Sequence, residues 1–280
     1  MTDSEKLITS ARNYCISHFA FWVSKYSKEG SKNISSYSEN DYNLFPRYHV
    51  IKAIQQGVEV FVGQEFSSFE ICKQQLVDVG MKSHSVFTIE DNTQIYLLGE
   101  SGKYLSTVSK KNTIQKNAMN EERLKFVEFI HSRTIENISH IKPIPYRHKL
   151  TDTEMITIRK QLLEIWNYDG DYWNPLEDKS PKETVVILKE NLTPDDSEKI
   201  INFLASISHK RMYEITEDRI DYEIEFDSFD LDLCETIVTD YSLDWVIYGS
   251  HEETLAFGGT KLIDFVKSLF ATRADQLDTW

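Results

Sequence analysis

The sequence predicts an α+β protein in two parts, and three observations carry that prediction. Apolar residues recur at three- and four-residue spacing through much of the first 140 positions. The second half breaks instead into short aromatic and β-branched runs separated by helical stretches. Between them, HIKPIPYRHK carries Pro143 and Pro145, which cannot continue a helix and read as extended chain. The expected architecture is a helical N-terminal domain with a small antiparallel meander over residues 1–139, a linker over 140–150, and an acidic C-terminal α+β domain with a mainly antiparallel sheet over 151–280.

Residues 4–27 place Leu7, Ala11, Cys15, Phe19 and Trp22 on one face of a long amphipathic helix, with His18 packed and hydrogen-bonded there. The polar stretch EGSKNISSYSENDYN has no period and reads as a surface loop. Pro46 suits a first helical turn, so the next helix is expected from about Phe45, burying Val50, Ile51, Ile54 and Val58. Arg47 and His49 then stand at its start, where a local ion pair or cap competes with an anion contact. Ser67 and Glu70 match a capping box for a third helix, which Gly80 is expected to stop. Residues 84–108 hold three strand-like runs, the expected meander, and 120–138 return to helix.

In the second half, Thr151 and Glu154 form a capping box for a helix to about Asn167. The loop YDGDYWNPLEDKSPKE follows, with Tyr172 and Trp173 among Asp169, Asp171, Glu177 and Asp178. Two readings stay open for it: a contact surface, or Trp173 folded back onto the core beside Trp166. A strand over 183–189, a helix from Thr193 and strands over 212–216 and 220–226 come next. Alternation in the last of these predicts Tyr222, Ile224 and Phe226 facing the core and Asp221, Glu223 and Glu225 forming a solvated row. A helix over 229–241, the hairpin in DWVIYGSHEETLAFGG and a helix after Thr260 complete the order αβαββαββα.

The 280 residues, 40% apolar and 12% aromatic, can bury two moderate cores. Charge divides unevenly: 19 Lys+Arg against 16 Asp+Glu in residues 1–150, and 12 against 29 in 151–280, so +3 and −17 make the net −14. An acidic second half disfavours direct phosphate contacts with nucleic acid and suits a basic partner. No apolar run approaches the roughly 18 to 20 residues of a membrane span, and the N-terminus lacks the order of a signal peptide, so a cytoplasmic protein is expected. Cys15, Cys72 and Cys234, odd in number and widely spaced, read as small core residues on helices.

Asp169, Asp171, Glu177 and Asp178 invite comparison with a calcium loop. The pattern fails, because Trp173 occupies a ligand position, Pro175 interrupts and the required glycine is missing. No HExxH or paired CxxC suggests zinc, so neither metal nor other cofactor is expected. Gly258 and Gly259 lack the further glycine or lysine spacing of a phosphate loop; the helix N-terminus behind them could hold an anion, against which the surrounding acid argues. Ser250, His251 and Glu252 put a hydroxyl, an imidazole and a carboxylate in succession. A hydrolase using His251 with Glu252 or Asp244 is therefore an alternative, and an acidic mimic of DNA built on Asp221, Glu223 and Glu225 is another.

The pieces FPRYHVIKAI, FSSFEICKQQL, KPIPYRHKL and DWVIYGSHEETLAFGG resemble segments of bacterial proteins of unassigned function, and the last is similar to hairpins in immunity proteins of toxin systems. The resemblance implies a cytosolic bacterial protein that binds and neutralises a partner such as a toxin, and it transfers no catalytic residue. The expected partner-binding set is Asp169, Asp171, Tyr172, Trp173, Glu177, Asp178, His251, Glu252 and Glu253. In that reading the two aromatics anchor the contact and the acids steer a basic protein.

Overall fold

The computed structural model describes residues 1–31, 38–83, 109–176 and 181–278. The chain divides into two compact units, Met1–Ile144 and Pro145–Trp280. The expected meander at 84–108 lies outside the described residues.

The first unit packs α1 (Asp3–Glu29), α2 (Glu39–Glu59), α3 (Phe69–Lys82), α4 (Ser109–His131) and the short α5 (Ile135–Ile138) around one apolar core. That core contains Leu7, Ala11, Cys15, Val50, Ile54, Leu76, Phe126 and Ile130. His18 accepts the expected role, its Nδ1 lying 2.9 Å from the Tyr14 carbonyl with the ring stacked on Tyr14. Three expectations shift. Helix α2 starts at Glu39 rather than near Phe45, because Asp41 caps the backbone N–H of Ser38 at 2.7 Å, which leaves Pro46 buried inside the helix. Ser68, not Ser67, is the N-cap of α3. Gly80 does not stop that helix but lies within it, where a Cβ would come 2.6 Å from Phe126 Cδ1 and 2.9 Å from Val127 Cγ2. Gly80→Ala is therefore expected to destabilise the unit in urea denaturation: overpacking costs about 1–3 kcal/mol, against about 1 kcal/mol of helix propensity gained.

The second unit is a seven-stranded sheet between helices. Its strands are β1 (Arg147–Lys149), β2 (Thr184–Leu188), β3 (Arg211–Thr216), β4 (Tyr222–Glu225), β5 (Thr236–Asp240), β6 (Val246–Gly249) and β7 (Thr254–Gly258). They lie in the order β1-β4-β3-β5-β6-β7-β2 with every neighbouring pair antiparallel. Because side chains alternate across a strand, Val186, Ile237, Val246, Tyr248 and Ala256 face one side, where α6 (Asp152–Trp166) covers them. Val185, Ile187, Val238, Ile247, Leu255 and Phe257 face the other, under α7 (Pro194–Ile207) and α8 (Thr260–Leu269). This is the α+β class expected, and the Thr151–Glu154 capping box that starts α6 is present.

The helix expected over 229–241 is absent: a short 3-10 turn at Phe226–Ser228 leads to a loop and then to β5, whose Thr-Ile-Val-Thr run suits a strand. Cys234 consequently sits exposed in that loop, whereas Cys15 and Cys72 are buried as expected. Of the expected carboxylate row Glu225 is exposed, and the other two are not. Asp221 is fully buried and paired with Arg159 at 2.7 Å, and Glu223 is buried with the Tyr146 hydroxyl at 2.7 Å and Arg211 at 3.7 Å. A continuous acidic surface needs these groups outward, so the DNA-mimic reading loses its structural basis.

Candidate partner-binding site

Two loops at one end of the sheet supply the site. The first is the β6–β7 turn. Ser250, fully buried, shares a hydrogen bond of 2.7 Å with Thr254 Oγ1 and accepts one of 3.0 Å from the Glu252 backbone, while Glu253 takes a left-handed backbone (φ 59°). This tight turn pushes His251, Glu252 and Glu253 into solvent. The second loop leaves α6 at Asn167, itself left-handed (φ 58°), and is folded by an Asx turn from Asp171 N–H to Asp169.

Between these loops, residues about 80 positions apart meet. The Tyr172 hydroxyl donates to Glu252 Oε2 at 2.8 Å, and its ring centre lies 5.5 Å from that of His251. His251 Nδ1 is 3.2 Å from Glu235 Oε1, and the Glu217 backbone N–H donates to the Glu235 carbonyl. Glu217 in turn accepts from the Tyr248 hydroxyl at 2.7 Å. Asp171 adds another negative charge felt at Glu217. Burial raises Glu217 above the usual carboxylate range, the charges of Glu235 and Asp171 add to it, and the Tyr248 hydrogen bond and His251 oppose it.

That upward direction carries a consequence for stability. An acid raised in the folded state ionises first in the unfolded chain, so it contributes stability below its unfolded value and loses it as pH rises through its folded value. Glu217→Gln is expected to raise the melting temperature at pH 7, with the difference shrinking as the pH falls towards 4. A melting curve series that gave the same difference at both ends would contradict the assignment.

The expected residues divide as follows. Tyr172, His251 and Glu252 form one patch, with Asp169 and Asp171 exposed on the same loop as Tyr172. Glu253 turns instead toward Lys189, 3.4 Å away. Glu177 and Asp178 lie outside the described residues. Trp173 is corrected: it is 1% exposed, packed edge-on against Tyr168 and Tyr248, and belongs to the α6 core with Trp166. It cannot present its ring to a partner. Glu217 and Glu235 escape the sequence reading: Glu235 falls in the helix expected over 229–241, and Glu217 between the strands expected over 212–216 and 220–226.

The serine, histidine and glutamate of the hairpin do not cooperate. Ser250 bonds Thr254, His251 pairs with Glu235, and Glu252 receives Tyr172, so each group points to a different neighbour. Asp244, the other suggested orienter, lies at the opposite end of β6. His251 is 53% exposed. Among the described residues there is no cluster of three or more metal-ligating groups, and no helix is long and apolar enough to cross a membrane. Comparison with family models, with curated proteins and with solved structures returns no match for this chain.

Proposed function

We propose that this chain is a binding protein that neutralises a basic protein partner, as immunity proteins of toxin systems do, and that the Tyr172 patch makes the contact. The observation that carries the reading is the convergence of Tyr172, His251 and Glu252 with Glu217, Glu235 and Asp171, where burial raises Glu217 and the charges of Glu235 and Asp171 add to it. Clustered like charge at an exposed patch is expected where a ligand of opposite charge will relieve it. Tyr172, 40% exposed and already oriented by Glu252, supplies an amphipathic ring at little entropic cost. The carboxylates around it speed the encounter more than they tighten the complex.

The test is capture of partners on the tagged chain from extract of its source cells, at low and at moderate salt, beside a Tyr172→Ala/Glu252→Gln variant. A basic protein held by the parent chain, released by salt and bound about tenfold more weakly by the variant is the expected result. Equal retention by both forms, or nothing proteinaceous retained, would overturn the reading.

A further inference from the structure

An imidazole stands among the carboxylates of the Tyr172 patch, and acids from several elements surround it. His251 is half-exposed on the β6–β7 turn. Glu235, just before β5, lies 3.2 Å from its Nδ1. Glu217, on the turn between β3 and β4, feels the charges of both His251 and Glu235. The loop after α6 brings Tyr172, whose ring centre is 5.5 Å from that of His251 and whose hydroxyl donates to Glu252, and on the same loop Asp169 and Asp171 are exposed. On the turn itself Glu252 is the next residue, and Glu253 is directed to Lys189, 3.4 Å away.

An imidazole changes its charge between about pH 5 and 8, a range in which ordinary surface carboxylates and lysines keep theirs. With His251 neutral, Glu235 and its neighbours present their negative charge undiminished. Protonation places a positive charge 3.2 Å from Glu235 and offsets part of the field that draws a basic protein. Glu217 moves in the same direction. Burial raises it above the usual carboxylate range, with the charges of Glu235 and Asp171 adding, so on acidification it takes up a proton before an ordinary glutamate does. Both groups therefore remove negative charge from one place as the pH falls.

We propose that His251 makes the Tyr172 patch a proton-sensitive contact, which holds a basic protein above the histidine range and releases it as the pH falls through that range. This rests on the Tyr172 patch being the partner contact and adds how that contact is regulated. The sign follows from linkage: the protonated patch binds a cation less tightly, so a bound basic partner makes His251 harder to protonate by the same factor.

Fluorescence anisotropy of a labelled nona-arginine peptide on the full chain, at low and constant ionic strength and at about pH 8 and about pH 6, tests it. The parent chain is expected to lose about threefold to tenfold in affinity between the two. His251→Gln is expected to keep most of its affinity at the lower pH, and His251→Lys, charged throughout, to bind weakly at both. A Tyr172→Ala/Glu252→Gln variant separates the switch from the contact it acts on. If that variant binds the peptide as tightly as the parent at the higher pH, the patch is not the basic contact and the switch falls with it. If it binds more weakly, yet a folded His251→Gln variant loses as much affinity on acidification as the parent does, the contact stands and the switch alone is overturned.

Discussion

Trp173→Ala is expected to remove about 3–5 kcal/mol from the second unit, a large part of what holds a domain of this size together. The ring is 1% exposed and meets Tyr168 and Tyr248 edge-on, at centroid distances of 6.2 and 5.8 Å, on the face of the sheet that α6 covers. Truncation leaves a cavity that those neighbours cannot fill without breaking their own contacts. The Trp173 backbone N–H also reaches the Tyr248 hydroxyl at 3.3 Å, and that hydroxyl holds Glu217, so a collapse here would be transmitted to the charged patch. Trp173→Phe is expected to cost much less, because the indole N–H it deletes is buried without an acceptor. Tyr172→Ala, one residue away but exposed, is expected to leave the melting temperature within about 2 °C. Thermal denaturation of the three variants side by side decides the matter. If Trp173→Ala melted with the parent chain, the core placement of this loop would be wrong.

Several elements were legible because local chemistry and tertiary packing agree. Thr151 and Glu154 cap α6 as their spacing demands, and the aromatic and β-branched runs around Gly249–Glu253 do form β6 and β7. The failures have physical reasons. Residues 229–241 place Leu233, Ile237 and Val238 at helical spacing, but a short apolar run satisfies a buried strand equally well, and pairing with Ile215 and Tyr248 across the sheet decided for β5. That single misassignment hid Glu235, which stands just before β5 with φ 48°, and with it the partner of His251. Asp221 and Glu223 alternate with apolar residues as a solvated row would, yet Arg159 and Tyr146 reach them from elsewhere in the chain. The patch itself joins Tyr172 to Glu252 across 80 positions, a separation that no periodicity reports. Glu183 and Asp240 likewise have partners that spacing does not report, Lys267 and His209.

Arg47→Ala is expected to destabilise the first unit by about 3–5 kcal/mol, an effect on a different core from that of Trp173. The sequence suggested a local role for this residue near a helix start, with an anion contact as the alternative. Its guanidinium instead bridges α2 and α4, with Nη1 2.6 Å from Glu122 Oε1, Nη2 2.6 Å from Glu121 and a further bond of 2.8 Å to Asn43. Glu122 is fully buried and also accepts from Trp22 Nε1 at 3.2 Å and Lys125 at 2.8 Å, while Arg47 lies over the Trp22 ring. Removing the arginine leaves a buried carboxylate short of its strongest donor, and the cost is the solvation that Glu122 cannot recover inside the helices. Lysine is not an adequate substitute, since a single ammonium cannot reproduce the fork that serves Glu121 and Glu122 together. An Arg47→Met/Glu122→Leu double variant separates this account from a simple packing loss. Deleting both charges removes the stranded carboxylate, so the double variant is expected to be more stable than Arg47→Ala despite carrying the additional change. Urea denaturation followed by helical circular dichroism reads both. A double variant less stable than Arg47→Ala would show that the ion pair contributes through its shape, and that the stranded charge is not what the single substitution costs.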